Sequence, residues 1–95
     1  MEVRGPKPLE HPTGGQLITW AQGQLEIADQ IVDNPGGGLL FATQTMGQVR
    51  AALHEQDLER WEDLVALLDR AENAAVRRNF QECRRLLAEA RQKLG

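Results

Sequence analysis

Residues 17–32, LITWAQGQLEIADQIV, decide the fold predicted for this chain. Apolar side chains recur here at steps of three and four residues, which is the spacing of one face of an α-helix. The members of this stripe are Ile18, Ala21, Leu25, Ala28 and Val32. On a wheel with about 100° per residue, Leu17, Trp20, Ile27 and Ile31 widen the stripe to about half of the circumference. We therefore expect this helix to pack between two others, or against a second copy of the chain.

Three further apolar stripes with the same spacing occur along the chain. The first comprises Leu39, Ala42, Met46, Val49 and Leu53. The second comprises Leu58, Trp61, Leu64 or Val65, Leu68, Ala71 and Ala75. The third comprises Phe80, Cys83, Leu87, Ala90 and Leu94. Stripes of this kind are typical of helices that cross at about 20° in a bundle.

The breaks between these stripes differ in character. Asp33, Asn34 and Pro35 end the first helix, and Asn79 is expected to close the third by taking the left-handed conformation. Near Gln56 the phase of the stripe slips, and Asp57 can act as an N-cap. Because neither Gly nor Pro lies there, residues 39–76 form either two helices or one bent helix.

The predicted fold class is therefore all-α, a small three- or four-helix antiparallel bundle with an extended N-terminal arm. Residues 1–12 contain three prolines among single charges, which predicts a flexible arm. Thr13 can act as the N-cap of the first helix, so the bundle domain is assigned to residues 13–95.

Composition limits the compartment and the class of partner. No apolar run approaches the roughly 18 residues of a membrane span, so no membrane partner is expected. The one cysteine, Cys83, has no partner for an internal disulfide, and we expect a cytoplasmic protein. A net charge of −3 gives the molecule no general attraction for nucleic acid.

The three glycines at 36–38 precede an apolar helix, as in phosphate-binding loops. Such loops also need a Lys beside the last Gly and a preceding strand, and this chain has no Lys between Lys7 and Lys93. A turn that reverses the chain is the better interpretation. A weak anion site, or a hinge that becomes ordered on binding, remains the alternative.

The sequence contains few side chains that could take part in catalysis. There is no Ser or Tyr, and the nucleophile candidates are Cys83 and four Thr, with His11 and His54 as the only imidazoles. Cys83 lies on an apolar stripe, which indicates a buried and inert thiol. Two distant His and one Cys do not form a metal-binding pattern. We expect no enzyme activity, no metal and no cofactor.

Two charged groups are open to a functional interpretation. Glu55, Glu59, Glu62 and Asp63 form an acidic set that we interpret as a solvated face. Five arginines could form an anion-binding ridge, namely Arg77, Arg78, Arg84, Arg85 and Arg91. The alternative is that these arginines pair within an antiparallel hairpin of the last two helices, which reverses direction at Asn79. In that hairpin, Arg84 and Arg91 would lie near Glu72, Asp69 and Glu62 of the preceding helix.

These observations favour a non-catalytic protein-interaction module, such as an adaptor, an accessory subunit or a small regulator. The predicted partner is another protein, and the wide apolar arc also predicts a homo-oligomer. The predicted contact surface consists of Trp20, Ile27, Ile31, Gly36, Gly37 and Gly38. The alternative function is a small nucleic-acid-associated protein that uses the arginine ridge for phosphate contacts.

Overall fold

The computed structural model describes residues 15–95, which form three α-helices and no strand. These are α1 (Gly15–Ile31), α2 (Gly38–Val76) and α3 (Phe80–Leu94). The predicted all-α fold is confirmed for this part of the chain. The proposed arm at residues 1–12 and the Thr13 cap lie outside the described residues. None of the described helices combines the length and the apolar character that crossing a membrane requires.

The core forms where the apolar stripes of all three helices meet. From α1 and the residue that follows it, five side chains enter the core: Leu17, Ala21, Leu25, Ala28 and Val32. This helix contacts both α2 and α3, as its wide arc predicted. Each fully buried Leu stabilises the fold by about 1.5–3 kcal/mol relative to an exposed one. The two neighbours supplied by the same chain therefore cover the centre of the α1 arc.

The glycine-rich segment between α1 and α2 is a turn. Gly36 and Gly37 have positive φ angles of 82° and 106°, a region that side chains with a Cβ rarely occupy. The amide of Gly38 donates to the Asn34 carbonyl at 3.2 Å, and the amide of Asn34 donates to the Ile31 carbonyl at 2.9 Å. A Cβ at Gly38 would overlap the Ile31 carbonyl oxygen. The first two glycines thus serve the backbone conformation, and the third serves the close approach of α2 to α1.

Helix α2 is a single helix with a kink at Asp57. The sequence left open whether residues 39–76 form two helices or one bent helix, and the kinked helix combines features of both. Its backbone is extended at Asp57, with φ −167° and ψ 84°. The Asp57 carboxylate accepts a hydrogen bond from the Arg60 amide at 3.2 Å, which confirms Asp57 as the N-cap of the helical segment after the kink. We call residues 38–56 the first arm of α2 and residues 58–76 its second arm.

The two arms of α2 fold back on each other. Arg50 and Glu72 are 22 residues apart, and Arg50 Nε donates to Glu72 Oε2 at 2.6 Å. In a straight helix the two residues would be about 33 Å apart, because each residue adds about 1.5 Å. Arg50 therefore marks the side of the first arm that faces the second arm.

The turn between α2 and α3 corrects the prediction for Asn79. The left-handed residue is Arg78, with φ 64°, and not Asn79. The Arg78 amide donates to the Ala75 carbonyl and the Asn79 amide to the Ala74 carbonyl, which is the Schellman pattern at a helix end. Asn79 is instead the N-cap of α3, where its side chain accepts from the Glu82 amide at 3.3 Å. Because Asn79 is used as a cap, the preceding residue has to make the turn.

Replacing Gly38 with Ala should destabilise the protein by about 1–3 kcal/mol, because the new methyl group meets the backbone of α1. Gly23→Ala is the matched control, since Gly23 lies within α1 and has open space around it. That variant should gain about 0.5–1 kcal/mol from helix propensity. Urea unfolding measures both values. Equal stability of Gly38→Ala and the wild type would contradict the close approach.

Arg78→Gly should stabilise the protein by about 0.5–1 kcal/mol, because glycine adopts a positive φ without the clash of a Cβ. The neighbouring Arg77, with φ −80°, provides the control. Arg77→Gly should lower stability, since no left-handed residue is needed there. Thermal unfolding compares the two variants, and a gain at position 77 with a loss at position 78 would refute this account of the turn.

Candidate interaction surface

The predicted contact residues of α1 lie along one edge of that helix, within about 40° on the helical wheel. Trp20 and Ile31 are half-buried and pack against the core. Ile27 is 43% exposed. Gln24 lies at the same edge and is half-buried, so this part of the arc is not fully enclosed. The chain covers the centre of the α1 arc and leaves this edge partly open.

A second exposed apolar group lies at the start of α2 and was not predicted from the sequence. Phe41 is 51% exposed and Leu40 is 63% exposed. Phe41 is nine residues, or about 180° on the wheel, from Arg50, so it points away from the second arm. Because the glycine turn joins the end of α1 to the start of α2, Phe41, Ile27 and Ile31 lie at the same end of the bundle.

Contacts with α3 show which side of α1 remains open. Arg91 of α3 binds Asp29, which lies about 200° around α1 from Ile27. The edge formed by Trp20, Ile27 and Ile31 therefore faces away from α3, toward the first arm. This edge and Phe41 border the seam between α1 and the first arm from its two sides.

Among the described residues, charged side chains are sparse beside this seam, and the exposed Glu26 of α1 and Glu55 of the first arm lie at its borders. No charged residue occurs in residues 34–49, and α1 carries only Glu26 and Asp29. The polar side chains along the edge are amides and hydroxyls, including Gln16, Thr19, Gln24, Gln30 and Gln48. We call this surface the uncharged face; its apolar residues are Trp20, Ile27, Ile31 and Phe41. The absence of charge in residues 34–49 is the sequence signal that would have led to Phe41.

The predicted glycines adjoin the uncharged face but have different environments. Gly36 and Gly37 are exposed, with open space where a Cβ would stand. Gly38 is half-buried against the end of α1. Only the first two can offer their backbone to a partner, and the third positions α2.

Arg84 and Arg91 pair with Asp29 of α1 and with Asp33 in the turn after it, which corrects the predicted partners Glu72, Asp69 and Glu62. Both carboxylate oxygens of Asp33 accept from Arg84, at 2.7 and 3.2 Å. Arg84 Nε also donates to the Asp29 backbone carbonyl at 3.0 Å, near the end of α1. Arg91 donates to the Asp29 carboxylate at 3.1 Å. The prediction was wrong because α3 also packs against α1, while Glu72 binds Arg50.

The hydrogen bond from Arg84 to Asp33 raises the pKa of the guanidinium, so this side chain stays charged. Arg85 pairs within α3, donating to Glu82 at 2.7 Å. This hydrogen bond lowers the pKa of the Glu82 carboxyl. Arg77 and Arg78 are exposed at the turn before α3. The five arginines therefore do not project together as one ridge.

The candidate reactive groups are not brought together. Cys83 is buried, and burial raises the pKa of its thiol to about 11. His54 is exposed on the first arm, beside a shallow depression lined by Gln44, Gly47 and Ala51. His11 lies outside the described residues. Within residues 15–95, no group of His, Cys, Asp and Glu has the geometry to hold a metal ion.

The acidic set is exposed along the kink and the second arm, as expected for a solvated face. Its members are Glu55, Glu59, Glu62 and Asp63.

Comparison of the chain with protein-family models, curated proteins and solved structures found no significant match. The placement of residues is therefore the evidence from which a function is inferred.

Arg84→Met should destabilise the protein by about 1 kcal/mol at low salt, because it removes the bonds to Asp29 and Asp33. The side chains of Arg84 and Asp33 are more than a third exposed, so salt should screen most of the contribution of this pair. Arg85→Met is the matched control, since Arg85 pairs only within α3 and should change stability by less than about 0.5 kcal/mol. Urea unfolding at two salt concentrations makes the comparison. Equal losses in both variants would argue against a bridge between helices.

Proposed function

We propose that this chain is a non-catalytic protein-interaction module that binds its partner through the uncharged face. It would act as an adaptor, an accessory subunit or a small regulator. The observation that carries the proposal is the exposure of Ile27 and Phe41 on a surface with few charged residues, beside the half-buried Trp20 and Ile31. The core of a protein interface has the same character, being depleted of charged residues and enriched in aromatic ones.

The residues of the uncharged face suit the binding of an apolar helix or loop. Ile27 and Phe41 lie on opposite sides of the seam between α1 and the first arm, so a partner that lies along the seam contacts both. Burying the exposed half of each side chain would contribute on the order of 1 kcal/mol. Trp20 adds a large ring at the same edge, and tryptophan is frequent among the residues that dominate binding energy.

The alternative, nucleic-acid binding through the arginines, has less support from the contacts. Arg84 and Arg91 are engaged by Asp29 and Asp33, and Arg85 by Glu82. A phosphate would have to compete with these carboxylates. Only Arg77 and Arg78 remain side by side, and a few phosphate contacts give weak binding at physiological salt.

Ile27→Glu and Phe41→Glu should abolish binding to a natural partner, because each buries a charge in the centre of the proposed contact. The chain, tagged and used as bait in a lysate of its own host, would be compared with these two variants. Val76→Glu is the control, since Val76 is 66% exposed at the other end of α2. Far-ultraviolet circular dichroism would verify that all variants remain helical.

The expected result is a protein retained by the wild type and by Val76→Glu and lost with both other variants. Retention should persist when the salt concentration is raised, since apolar contacts are not screened. Retention of the same proteins by all baits would reject the uncharged face as the binding surface. Recovery of nucleic acid that is lost with Arg77→Glu and at high salt would favour the alternative function.

A further inference from the structure

We infer that the uncharged face is occupied by a second copy of this chain, giving a homodimer in which α1 and the first arm pack against their counterparts. This inference rests on the proposed function, because it names the partner for the same surface. It is supported by the distribution of charge, by the hydrogen-bonding groups of the face and by its dimensions.

The distribution of charge restricts where two copies can meet. The chain has a net charge of −3, so two copies repel each other at long range. The second arm carries the exposed acids Glu59, Glu62, Asp63 and Asp69, and a contact there would bring like charges together. At the apolar centre of the uncharged face, formed by Trp20, Ile27, Ile31 and Phe41, no like charges meet. A dimer formed through this face also directs both acidic arms away from the interface.

The polar groups of the face are complementary to themselves. An amide side chain both donates and accepts hydrogen bonds, whereas a carboxylate only accepts and an ammonium only donates. Gln16, Gln24 and Gln30 lie within about 60° of Ile27 on the wheel of α1, whereas Gln48 of the first arm lines a depression that also holds Arg50, His54 and Glu55. In a two-fold interface each surface meets itself. A glutamine can then bond to the same residue type across the axis, without a charged group of opposite sign on the partner.

The dimensions fit an interface of modest affinity. Helix α1 has 17 residues and is therefore about 25 Å long. Two adjacent helices of about 10 Å diameter give a face with a projected area on the order of 500 Å². Accessible area exceeds projected area, so the contact lies near the lower limit of about 600–800 Å² per partner for specific complexes. Interfaces near this lower limit are weak or transient, so the dimer is expected to form within the micromolar to millimolar range.

Sedimentation velocity of the full chain between about 1 µM and 1 mM tests this inference, since that range brackets the expected affinity. The wild type should pass from monomer to dimer, and Phe41→Glu and Ile27→Glu should each raise the dissociation constant at least about tenfold, because two like charges then face each other. Phe41→Gln serves as a milder variant should Phe41→Glu lose its helical structure. Val76→Glu and Leu58→Glu are controls that should dimerise as the wild type does.

Salt provides an independent measurement on the same samples. Raising the ionic strength should leave the wild-type dimer intact or strengthen it, because salt screens the repulsion between two copies of charge −3. A wild type that stays monomeric up to about 1 mM would overturn the inference, since the dimer is expected to form below that concentration. So would a dimer that Phe41→Glu, Phe41→Gln and Ile27→Glu all leave unchanged. A monomer that still retains a host protein through Ile27 and Phe41 would remove the second copy as partner and leave the proposed function standing.

Discussion

The fold depends on the burial of the apolar stripe of α1 between α2 and α3. Leu25, Ala28 and Val32 are fully inaccessible to solvent, and they contact helices that come later in the chain. A helix of 17 residues is only marginally stable in water, so this packing is what holds α1 in place. The same packing brings Asp29 and Asp33 within reach of Arg84, because the acids lie on the side of α1 that faces α3. It leaves the opposite edge of α1 beside the seam with the first arm.

Most of the fold could be predicted from the spacing of apolar residues and from the residues that interrupt it. The apolar stripes, the turn at residues 32–37 and the cap at Asp57 are local properties of the sequence. The partners of Arg84 could not be predicted in the same way. Arg84 lies beside the apolar stripe of Phe80 and Leu87, so a neighbouring helix on either side of α3 could supply its partner. Only the packed bundle shows that α1 lies on the side of α3 that carries Arg84. Pairing between helices depends on their arrangement, which a periodic pattern does not specify.

The candidate surface was predicted in part, for a related reason. The helical wheel identified Trp20, Ile27 and Ile31 as the far edge of the α1 arc, but it could not show which edge the rest of the chain covers. Phe41 was not predicted because it lies outside the stripe of Leu39, Ala42 and Met46, and the spacing of that stripe does not show what covers the residues beside it. It is exposed because the first arm turns Ala42, Met46 and Val49 into the core, with Arg50 toward Glu72, which leaves Phe41 on the outer side.

The scarcity of charge around this seam has no explanation in the folding of α1 or of the first arm. Glutamine, glutamate and lysine have similar helix propensities, so charged residues at Gln16, Gln30 or Gln48 would preserve the helices. These three positions are exposed, so a charge there would also cause no burial penalty. The second arm and α3 carry many charges on their exposed positions and are equally helical. The distinguishing property of α1 and of residues 34–49 therefore lies in their outer surface, which carries few charged residues.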